Sequence, residues 1–270
     1  MPVQFVCSEW QLSKTHMLYK CTPLCFLLAV SLFGHRLTYS TEEFSVGQSK
    51  CFVLDGNSTA KEKPWVWYAP TLPRHPDPSH TWYIEKLIEK GISFAGCDQG
   101  EVRGSPASIS RFSDFYQEMV SKGYSKKPVL LGQSRGGLMM LSWAVRNPTK
   151  VAAYAGIYPV QNLRSWPMKR NLSSTLHDFK LDEKTFIQKL DAHNPINHLA
   201  EMAKAKVPIF IVHGDSDKVV PLEENSGLVE SRYRELGGKV YVKVVPSAGH
   251  QVIDAFFKSK NLIEFLIKHS

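Results

Sequence analysis

The sequence has few cysteines and no spacing of cysteine or histidine that is typical of a metal site. Three of its five cysteines (Cys7, Cys21 and Cys25) lie within the first 40 residues, which leaves Cys51 and Cys97 for the rest of the chain. These two could form one disulfide in an oxidising compartment, but both lie in strand-like stretches, where a buried free thiol is the commoner outcome. Without a metal-ligand pattern, we expect no metal and no organic cofactor.

The chain also lacks internal repeats, low-complexity tracts and a basic stripe interleaved with aromatic residues. Lys and Arg number 33 against 25 Asp and Glu, but the basic residues are scattered along the sequence. Scattered charge does not produce the basic footprint of a nucleic-acid-binding protein, so we expect no nucleic-acid partner. With 270 residues, 43% hydrophobic and 21% charged, the composition is that of a globular protein large enough for one α/β domain.

Long hydrophobic runs are absent except for one short stretch near the N-terminus. Residues 24–34 are apolar, follow Lys14 and Lys20, and are too short to span a bilayer comfortably. This length and these flanks are typical of a signal peptide. We therefore interpret residues 1–40 as a leader and residues 41–270 as a secreted or periplasmic domain without a stable membrane span. A buried or anchoring N-terminal helix is the alternative.

After residue 41, apolar strand-like stretches alternate with amphipathic helix-like stretches. The strand-like stretches are residues 50–54, 65–68, 92–97, 129–131, 151–158, 207–212 and 239–245. The helix-like stretches are residues 82–90, 108–122, 138–145 and 253–267. This alternation predicts an α/β fold with a mostly parallel, doubly wound sheet covered by helices on both faces. Ligands of such sheets bind at the carboxyl ends of the strands.

The alternation is interrupted between residues 161 and 206, an interval too long for a simple crossover. It contains Trp166 and an amphipathic stretch at residues 181–190. We interpret residues 161–192 as a small lid inserted into the α/β domain. One ordinary crossover helix with a long loop is the alternative.

The hexapeptide Gly-Gln-Ser-Arg-Gly-Gly at residues 132–137 lies between a strand-like and a helix-like stretch. It contains the Gly-x-Ser-x-Gly pattern of a nucleophile elbow, a turn so tight that glycines are needed on both sides of the serine. Ser134 is therefore the candidate nucleophile. A glycine-rich turn with an incidental serine is the alternative.

A serine hydroxyl needs a general base, and that base needs an acid to orient it. Candidate acids follow the stretch 207–212: Asp215, which suits a turn-stabilising role, and Asp217, which lies beyond the turn and could reach across to a histidine. The candidate base is His250, directly after Ala-Gly and the stretch 239–245. Of the ten histidines, it alone combines the expected chain order with a position at the end of a strand.

The oxyanion of an acyl-transfer reaction needs two amide donors. One is expected from the backbone of Arg135, at the start of a helix whose dipole favours negative charge. The other is expected from the loop after residues 65–68. Pro70 has no N–H, so the prediction is Thr71, with Leu72 as the second choice.

Together, the elbow, the motif His-Gly-Asp-Ser-Asp-Lys-Val-Val-Pro at residues 213–221 and the Ala-Gly-His motif resemble the α/β-hydrolase superfamily. The segment Asn-Pro-Ile at residues 194–196, before Val-Pro at 207–208, resembles its prolyl-oligopeptidase and dienelactone-hydrolase branch. The resemblance covers the chain from about residue 65 to the C-terminus. It implies that Ser134 is the nucleophile, Asp217 the acid and His250 the base.

Two features depart from the common pattern of that superfamily. Ala69 and Pro70 stand where many esterases have His-Gly after the third strand, which indicates a different oxyanion loop. The Ser134–Arg135 pair resembles the Ser-Arg pair of glucuronoyl esterases, in which the arginine faces the substrate oxyanion. A solvated or ion-paired side chain is the alternative for Arg135.

The sequence therefore predicts a serine hydrolase that cleaves a carboxylic ester through an acyl-enzyme. A small-molecule or carbohydrate ester is the expected substrate, with Tyr158 and Trp166 as the aromatic residues that line its site. The alternatives are a prolyl-oligopeptidase-like serine peptidase and a catalytically silent binding protein. The absence of a propeller and of an obvious acidic pair for a peptide N-terminus counts against the peptidase, and the complete triad counts against the silent protein. No pattern indicates the oligomeric state.

Overall fold

A computed structural model describes residues 40–73 and 75–270. Apart from residue 40, the predicted leader lies outside these described residues. Within them, no helix combines the length and the apolar character needed to cross a membrane.

The described chain forms one sheet of eight strands in the order β1-β2-β4-β3-β5-β6-β7-β8. The strands are β1 (Thr41–Val46), β2 (Ser49–Leu54), β3 (Trp65–Ala69), β4 (Ser93–Cys97), β5 (Val129–Gln133), β6 (Ala153–Ile157), β7 (Ile209–Gly214) and β8 (Val240–Val245). All neighbouring pairs from β4 to β8 are parallel, whereas β1 and β2 run antiparallel to their neighbours. The predicted α/β fold with a mostly parallel sheet is thus confirmed.

Helices connect the parallel strands and lie on both faces of the sheet. They are α1 (Thr81–Ile88), α2 (Pro106–Ser121), α3 (Gly136–Ala144), α4 (Trp166–Arg170), α5 (Leu172–Phe179), α6 (Glu183–His193), α7 (Leu199–Lys204), α8 (Ser226–Glu235), α9 (Asp254–Phe257) and α10 (Lys260–His269). Three-residue 3₁₀ helices occur at Pro78–His80, Pro148–Lys150 and Pro195–Asn197.

The structure differs from the sequence-based prediction at both ends of the described chain. Strand β1 was not predicted because it is largely exposed and begins with Thr-Glu-Glu, so it has no apolar run. The helix predicted over residues 253–267 is divided into α9 and α10. The division lies at Lys258 and Ser259, where Ser259 has extended backbone angles as the residue preceding α10. Helices α7 and α8 were also not predicted.

The two faces of the sheet bury separate apolar clusters, and alternate residues of one strand contribute to each. In β3, Trp65 and Trp67 point to the cluster under α2 and α3, whereas Val66 and Tyr68 point to the cluster under α1 and α10. All four are fully buried. The strand is therefore held from both sides, which fixes the loops at its carboxyl end.

Residues 161–192 contain the three helices α4, α5 and α6 and not one crossover helix. Their apolar side chains form a third cluster that includes Phe179 and Phe186 and packs on Leu138, near the start of α3. Two contacts tie this insertion to the loop after β4: Arg103 forms a buried ion pair with Asp178, and its guanidinium lies 5.5 Å from the ring centroid of Trp166. The insertion thus packs beside the elbow.

Candidate active site

The turn between β5 and α3 holds Ser134 in a strained conformation. Its φ angle is +48°, a value that few residues other than glycine adopt. A Cβ atom on Gly132 would lie 2.7 Å from the Cα of Gly137, and a Cβ on Gly136 would overlap the carbonyl of Ala69. Only glycine therefore fits on either side of this serine, as the elbow pattern predicts.

Three predicted residues meet above the carboxyl end of the sheet. The Oγ of Ser134 lies 2.9 Å from Nε2 of His250, and Nδ1 of His250 lies 2.7 Å from Oδ2 of Asp217. A carboxylate can only accept, so Nδ1 carries a hydrogen and Nε2 is free to accept the hydrogen of the serine. The structure thus forms a continuous hydrogen-bonded chain from hydroxyl to imidazole to carboxylate.

The Asp217 side chain is completely buried at the end of β7. Its Oδ1 accepts hydrogen bonds from the amides of Val219 and Val220, at 2.9 and 2.8 Å. Burial opposes ionisation of this carboxyl, but the hydrogen bonds from His213 and His250 hold its pKa well below the usual range. The carboxylate is therefore charged and fixed in position.

Asp215, the other candidate acid, has a different role. Its Oδ1 accepts hydrogen bonds from the amide of Ser247 at 2.7 Å and from the hydroxyl of Ser216 at 3.0 Å. These contacts join the loop after β7 to the loop after β8. Asp215 thus stabilises the turn that carries the histidine and does not contact the imidazole.

A cavity of about 230 Å³ opens at Ser134 and His250. Tyr158 lines it, and its ring centroid lies 4.4 Å from that of His250. The cavity is also lined by His75 and by four residues that the sequence did not single out: Pro70, Gln133, Gln251 and Val252. Trp166 is not among the lining residues, since it lies in the insertion beneath Arg103. The structure thus brings Tyr158, but not Trp166, to the nucleophile.

The sequence profile of the prolyl oligopeptidase family matches residues 107–268, which include all three residues of the hydrogen-bonded chain. The chain belongs to the prolyl oligopeptidase family. The chain has the α/β-hydrolase fold that the sequence motifs predict. No curated protein sequence matches it significantly.

Solved structures of peptidases share the fold at low sequence identity. The puromycin-hydrolyzing peptidase of Mycobacterium tuberculosis is 14% identical, with a TM-score of 0.66 over 85% of this chain and 38% of its own. Dipeptidyl peptidase 4 of Porphyromonas gingivalis is 13% identical, with a TM-score of 0.65 over 86% and 36%. The acylaminoacyl peptidase of Pyrococcus horikoshii is 10% identical, with a TM-score of 0.64 over 84% and 40%. The chain thus spans less than half the length of these structures.

In this prolyl oligopeptidase family member, the two predicted oxyanion donors lie in different surroundings. Arg135 immediately precedes α3 and lines the Ser134 cavity, and the first amides of a helix have no intrahelical acceptor. Thr71 lines a neighbouring cavity of about 470 Å³, whereas Pro70 and His75 of the same loop line the Ser134 cavity. The donor role of the Thr71 amide stays a prediction. The Arg135 guanidinium is ion-paired with Glu101, and both side chains are about one-third exposed.

A buried polar network that the sequence did not reveal lies behind the cavity of this family member. Nε2 of His80 lies 2.6 Å from Oε1 of Gln133 and 2.8 Å from the hydroxyl of Tyr68. The Tyr68 hydroxyl donates to the same Oε1 at 2.6 Å, and Nε2 of Gln133 donates to the Tyr158 hydroxyl at 3.3 Å. Asp77 completes the network, with Oδ1 3.0 Å from Nδ1 of His80. His80 lies in a proline-rich polar loop whose sequence gives no sign of burial.

Cys51 and Cys97 face each other across β2 and β4 as buried free thiols, with their sulfur atoms 2.8 Å apart. The hydrogen bond from Cys51 lowers the pKa of Cys97. Among residues 40–73 and 75–270, no group of His, Cys, Asp and Glu side chains has the arrangement of a metal site.

Proposed function

We propose that this chain hydrolyses amide bonds of peptides as a serine peptidase. The supporting observation is the hydrogen-bonded chain Ser134–His250–Asp217 in a member of the prolyl oligopeptidase family. Ser134 is the nucleophile, His250 the general base and then the general acid, and Asp217 the residue that orients the imidazole.

The proposed reaction follows from the positions of the hydrogens. As Oγ of Ser134 attacks the scissile carbonyl carbon, Nε2 of His250 takes its proton and the carbonyl oxygen becomes an oxyanion. The amides of Arg135 and Thr71 are the proposed oxyanion donors. The imidazolium then protonates the leaving amine, and water hydrolyses the acyl-enzyme by the same path. The Asp217 carboxylate stays ionised and stabilises the imidazolium.

A peptide amide is a better-supported substrate class than the carboxylic ester expected from the sequence. The structural neighbours named above are peptidases. The preference for an acylated sugar had two grounds. One was export, predicted from a leader that lies almost entirely outside the described residues, and the other was Trp166, which does not line the cavity. We retain Tyr158 as the proposed aromatic residue of the substrate site. Secretion stays a prediction from residues 1–40.

Hydrolysis of matched substrates tests this proposal. We would measure kcat/KM for peptide p-nitroanilides, p-nitrophenyl esters of short acyl groups and acetylated sugars, using the wild-type protein and Ser134→Ala. We expect turnover of the anilides and esters, and loss of both in Ser134→Ala. Turnover that survives Ser134→Ala would contradict the mechanism. Turnover of esters alone would favour the esterase over the peptidase.

Covalent labelling separates an enzyme from a silent binding protein on the same fold. A fluorophosphonate reacts only with an activated serine, so we expect stoichiometric labelling of the wild-type protein at Ser134. The Ser134→Ala variant should remain unlabelled. A wild-type protein that folds and resists the probe would contradict catalytic competence.

A further inference from the structure

Tyr158 occupies a strained and closely tethered position beside the nucleophile. Its φ angle is +34°, a rare value for a bulky side chain and one that is commoner at functional sites. The residues on either side of it bond to the elbow: the Ser134 amide donates to the Ile157 carbonyl at 3.0 Å, and the Val160 amide donates to the Ser134 carbonyl at 2.7 Å. Tyr158 is thus fixed relative to the serine.

The contacts of the polar network show which way the amide group of Gln133 faces. Nδ1 of His80 lies 3.1 Å from the Asp77 amide, which can only donate, and 3.0 Å from Oδ1 of Asp77, which can only accept, so these two contacts suit either tautomer. Nε2 of His80 lies 2.6 Å from Oε1 of Gln133, which can only accept, and this contact places a hydrogen on Nε2.

Gln133 presents its amide oxygen to His80 and to Tyr68. Its Oε1 receives hydrogens from Nε2 of His80 and from the Tyr68 hydroxyl, both at 2.6 Å, so its amide nitrogen faces Tyr158. The Tyr158 oxygen accepts this bond, and the hydrogen of its hydroxyl is directed elsewhere. Among residues 40–73 and 75–270, no other group forms a hydrogen bond with this hydroxyl.

We propose that the Tyr158 hydroxyl donates a hydrogen bond to an oxygen on the acyl side of the substrate, such as the carbonyl preceding the scissile residue of a peptide. Tyr158 is only 3% exposed and lies beneath His250, which is 17% exposed in its side chain. The acyl group stays bonded to Ser134, whereas the leaving group takes a proton from His250 and departs. We therefore assign the buried side of the cavity, at Tyr158, to the acyl group. Burial also raises the pKa of Tyr158, which keeps the hydroxyl protonated.

This inference rests on the proposed function and assigns a specificity-determining residue to it. The Tyr158 hydroxyl accepts a hydrogen bond from Gln133 and keeps its own hydrogen available to the substrate. It therefore favours substrates with an acceptor oxygen beside it over substrates with a methylene at the same position. The network of Asp77, His80, Tyr68 and Gln133 then has a positioning role, because it fixes the direction of the donor without contacting the substrate.

A cycle of two substrates and two enzymes tests the contact. The substrates are p-nitrophenyl methoxyacetate and p-nitrophenyl butyrate, whose acyl chains differ by an oxygen in place of a methylene. We would measure kcat/KM for both with the wild-type protein and with Tyr158→Phe. Because each substrate is its own reference, differences in intrinsic reactivity cancel. We expect the methoxyacetate-to-butyrate ratio to fall about tenfold in Tyr158→Phe, the loss of one hydrogen bond.

Two further variants separate this contact from a general structural effect. Tyr233→Phe removes another buried hydroxyl, which donates to the Val207 carbonyl at 2.6 Å far from the cavity lining, and should leave the ratio unchanged. Gln133→Glu keeps Tyr158 but replaces the amide nitrogen with a carboxylate oxygen, which would take the phenolic hydrogen. We expect the ratio to fall in Gln133→Glu as it does in Tyr158→Phe.

The outcomes distinguish this inference from the proposed function. If Ser134→Ala is inactive but Tyr158→Phe lowers both esters equally or neither, the donor role is wrong and the mechanism stands. Rates of reaction of Ser134 with methoxymethyl- and propyl-substituted fluorophosphonates give the same oxygen-to-methylene ratio without turnover. Slow hydrolysis of the acyl-enzyme therefore does not obscure the result. If Ser134 reacts with neither probe, the proposed function and the inference both fail.

Discussion

Two aspartate–histidine pairs lie near the Ser134 cavity, and their burial is reversed. In the first pair, the Asp217 carboxylate is completely buried and His250 is 17% exposed in its side chain. In the second pair, His80 is completely buried and the Asp77 side chain is 32% exposed. The same two residue types are thus used in opposite arrangements.

The difference indicates what each imidazole can do. Nε2 of His250 faces the serine hydroxyl and the cavity, so it can exchange protons with a reacting group. Nε2 of His80 is enclosed by Tyr68 and Gln133, so it can only hold neighbouring side chains in position. An aspartate–histidine pair is therefore insufficient to identify a general base, because access of its second nitrogen decides the role.

The largest expected effect comes from removing each imidazole in turn. His250→Ala should lower kcat/KM by about 10⁴- to 10⁶-fold, because the serine loses its base. His80→Ala should leave the triad largely in place but deprive Tyr68 and Gln133 of a hydrogen-bond partner. We therefore expect kcat/KM to fall about 10- to 100-fold and the Tm to be lower. Kinetics and thermal unfolding of both variants measure the contrast. Equal losses of kcat/KM, measured at a temperature at which both variants are folded, would show that the two pairs do not differ in role.

The two carboxylates should differ in the same direction. Asp217→Asn removes the acceptor that fixes the Nδ1 hydrogen of His250, and we expect kcat to fall by about 10⁴-fold. Asp77→Asn keeps the backbone amide that donates to His80, so its effect on kcat should be below about tenfold. Steady-state kinetics at one pH compares the two. A large loss in Asp77→Asn would mean that the network takes part in the reaction.

The Asp217 carboxylate should also make the stability of the fold depend on pH. The pKa of Asp217 is lower in the folded chain than in the unfolded chain, so its ionised form stabilises the fold at neutral pH. That stabilisation, about 2 kcal/mol for hydrogen bonds to a charged group, is lost as the pH falls below the unfolded carboxyl pKa of about 4. Urea unfolding of wild type and Asp217→Asn should therefore differ most above about pH 5, and the difference should shrink steadily as the pH falls below about 4 towards the lowered folded-state pKa. A difference that does not change with pH would contradict the assignment.

Sequence reasoning could predict the first pair because local motifs determine it. Gly132 and Gly136 are required by the elbow, and Asp217 and His250 follow strands β7 and β8 in the expected order. Parallel strands bring their carboxyl ends to one edge, so order along the chain becomes proximity in space. The same logic predicted the sheet itself.

The second pair could not be predicted because it depends on long-range burial. His80 immediately precedes α1. It meets Gln133 beside Tyr68, which the parallel register of β3 and β5 places next to Leu131. Its polar, proline-rich surroundings in the sequence indicate an exposed loop. For the same reason Trp166 was expected at the site: its aromatic character indicated binding, whereas packing of α4 placed it under Arg103.

A third ionic pair on the rim of the cavity tests the role of burial at the exposed extreme. The Arg135 and Glu101 side chains are 34% and 38% exposed, so solvent screens their attraction. We expect Glu101→Gln to change the free energy of unfolding by less than about 1 kcal/mol, since exposed pairs contribute little.

The same variant should also change the kinetics. The freed guanidinium would leave the rim of the cavity more positive, and substrates with a carboxylate near the scissile bond should gain about two- to threefold in kcat/KM at low salt. The control for the change in net charge is Glu118→Gln, which removes a carboxylate of α2 that pairs with Lys122. If Glu101→Gln instead destabilises the fold as strongly as Asp217→Asn, then burial of one partner is not what distinguishes the pairs around this cavity.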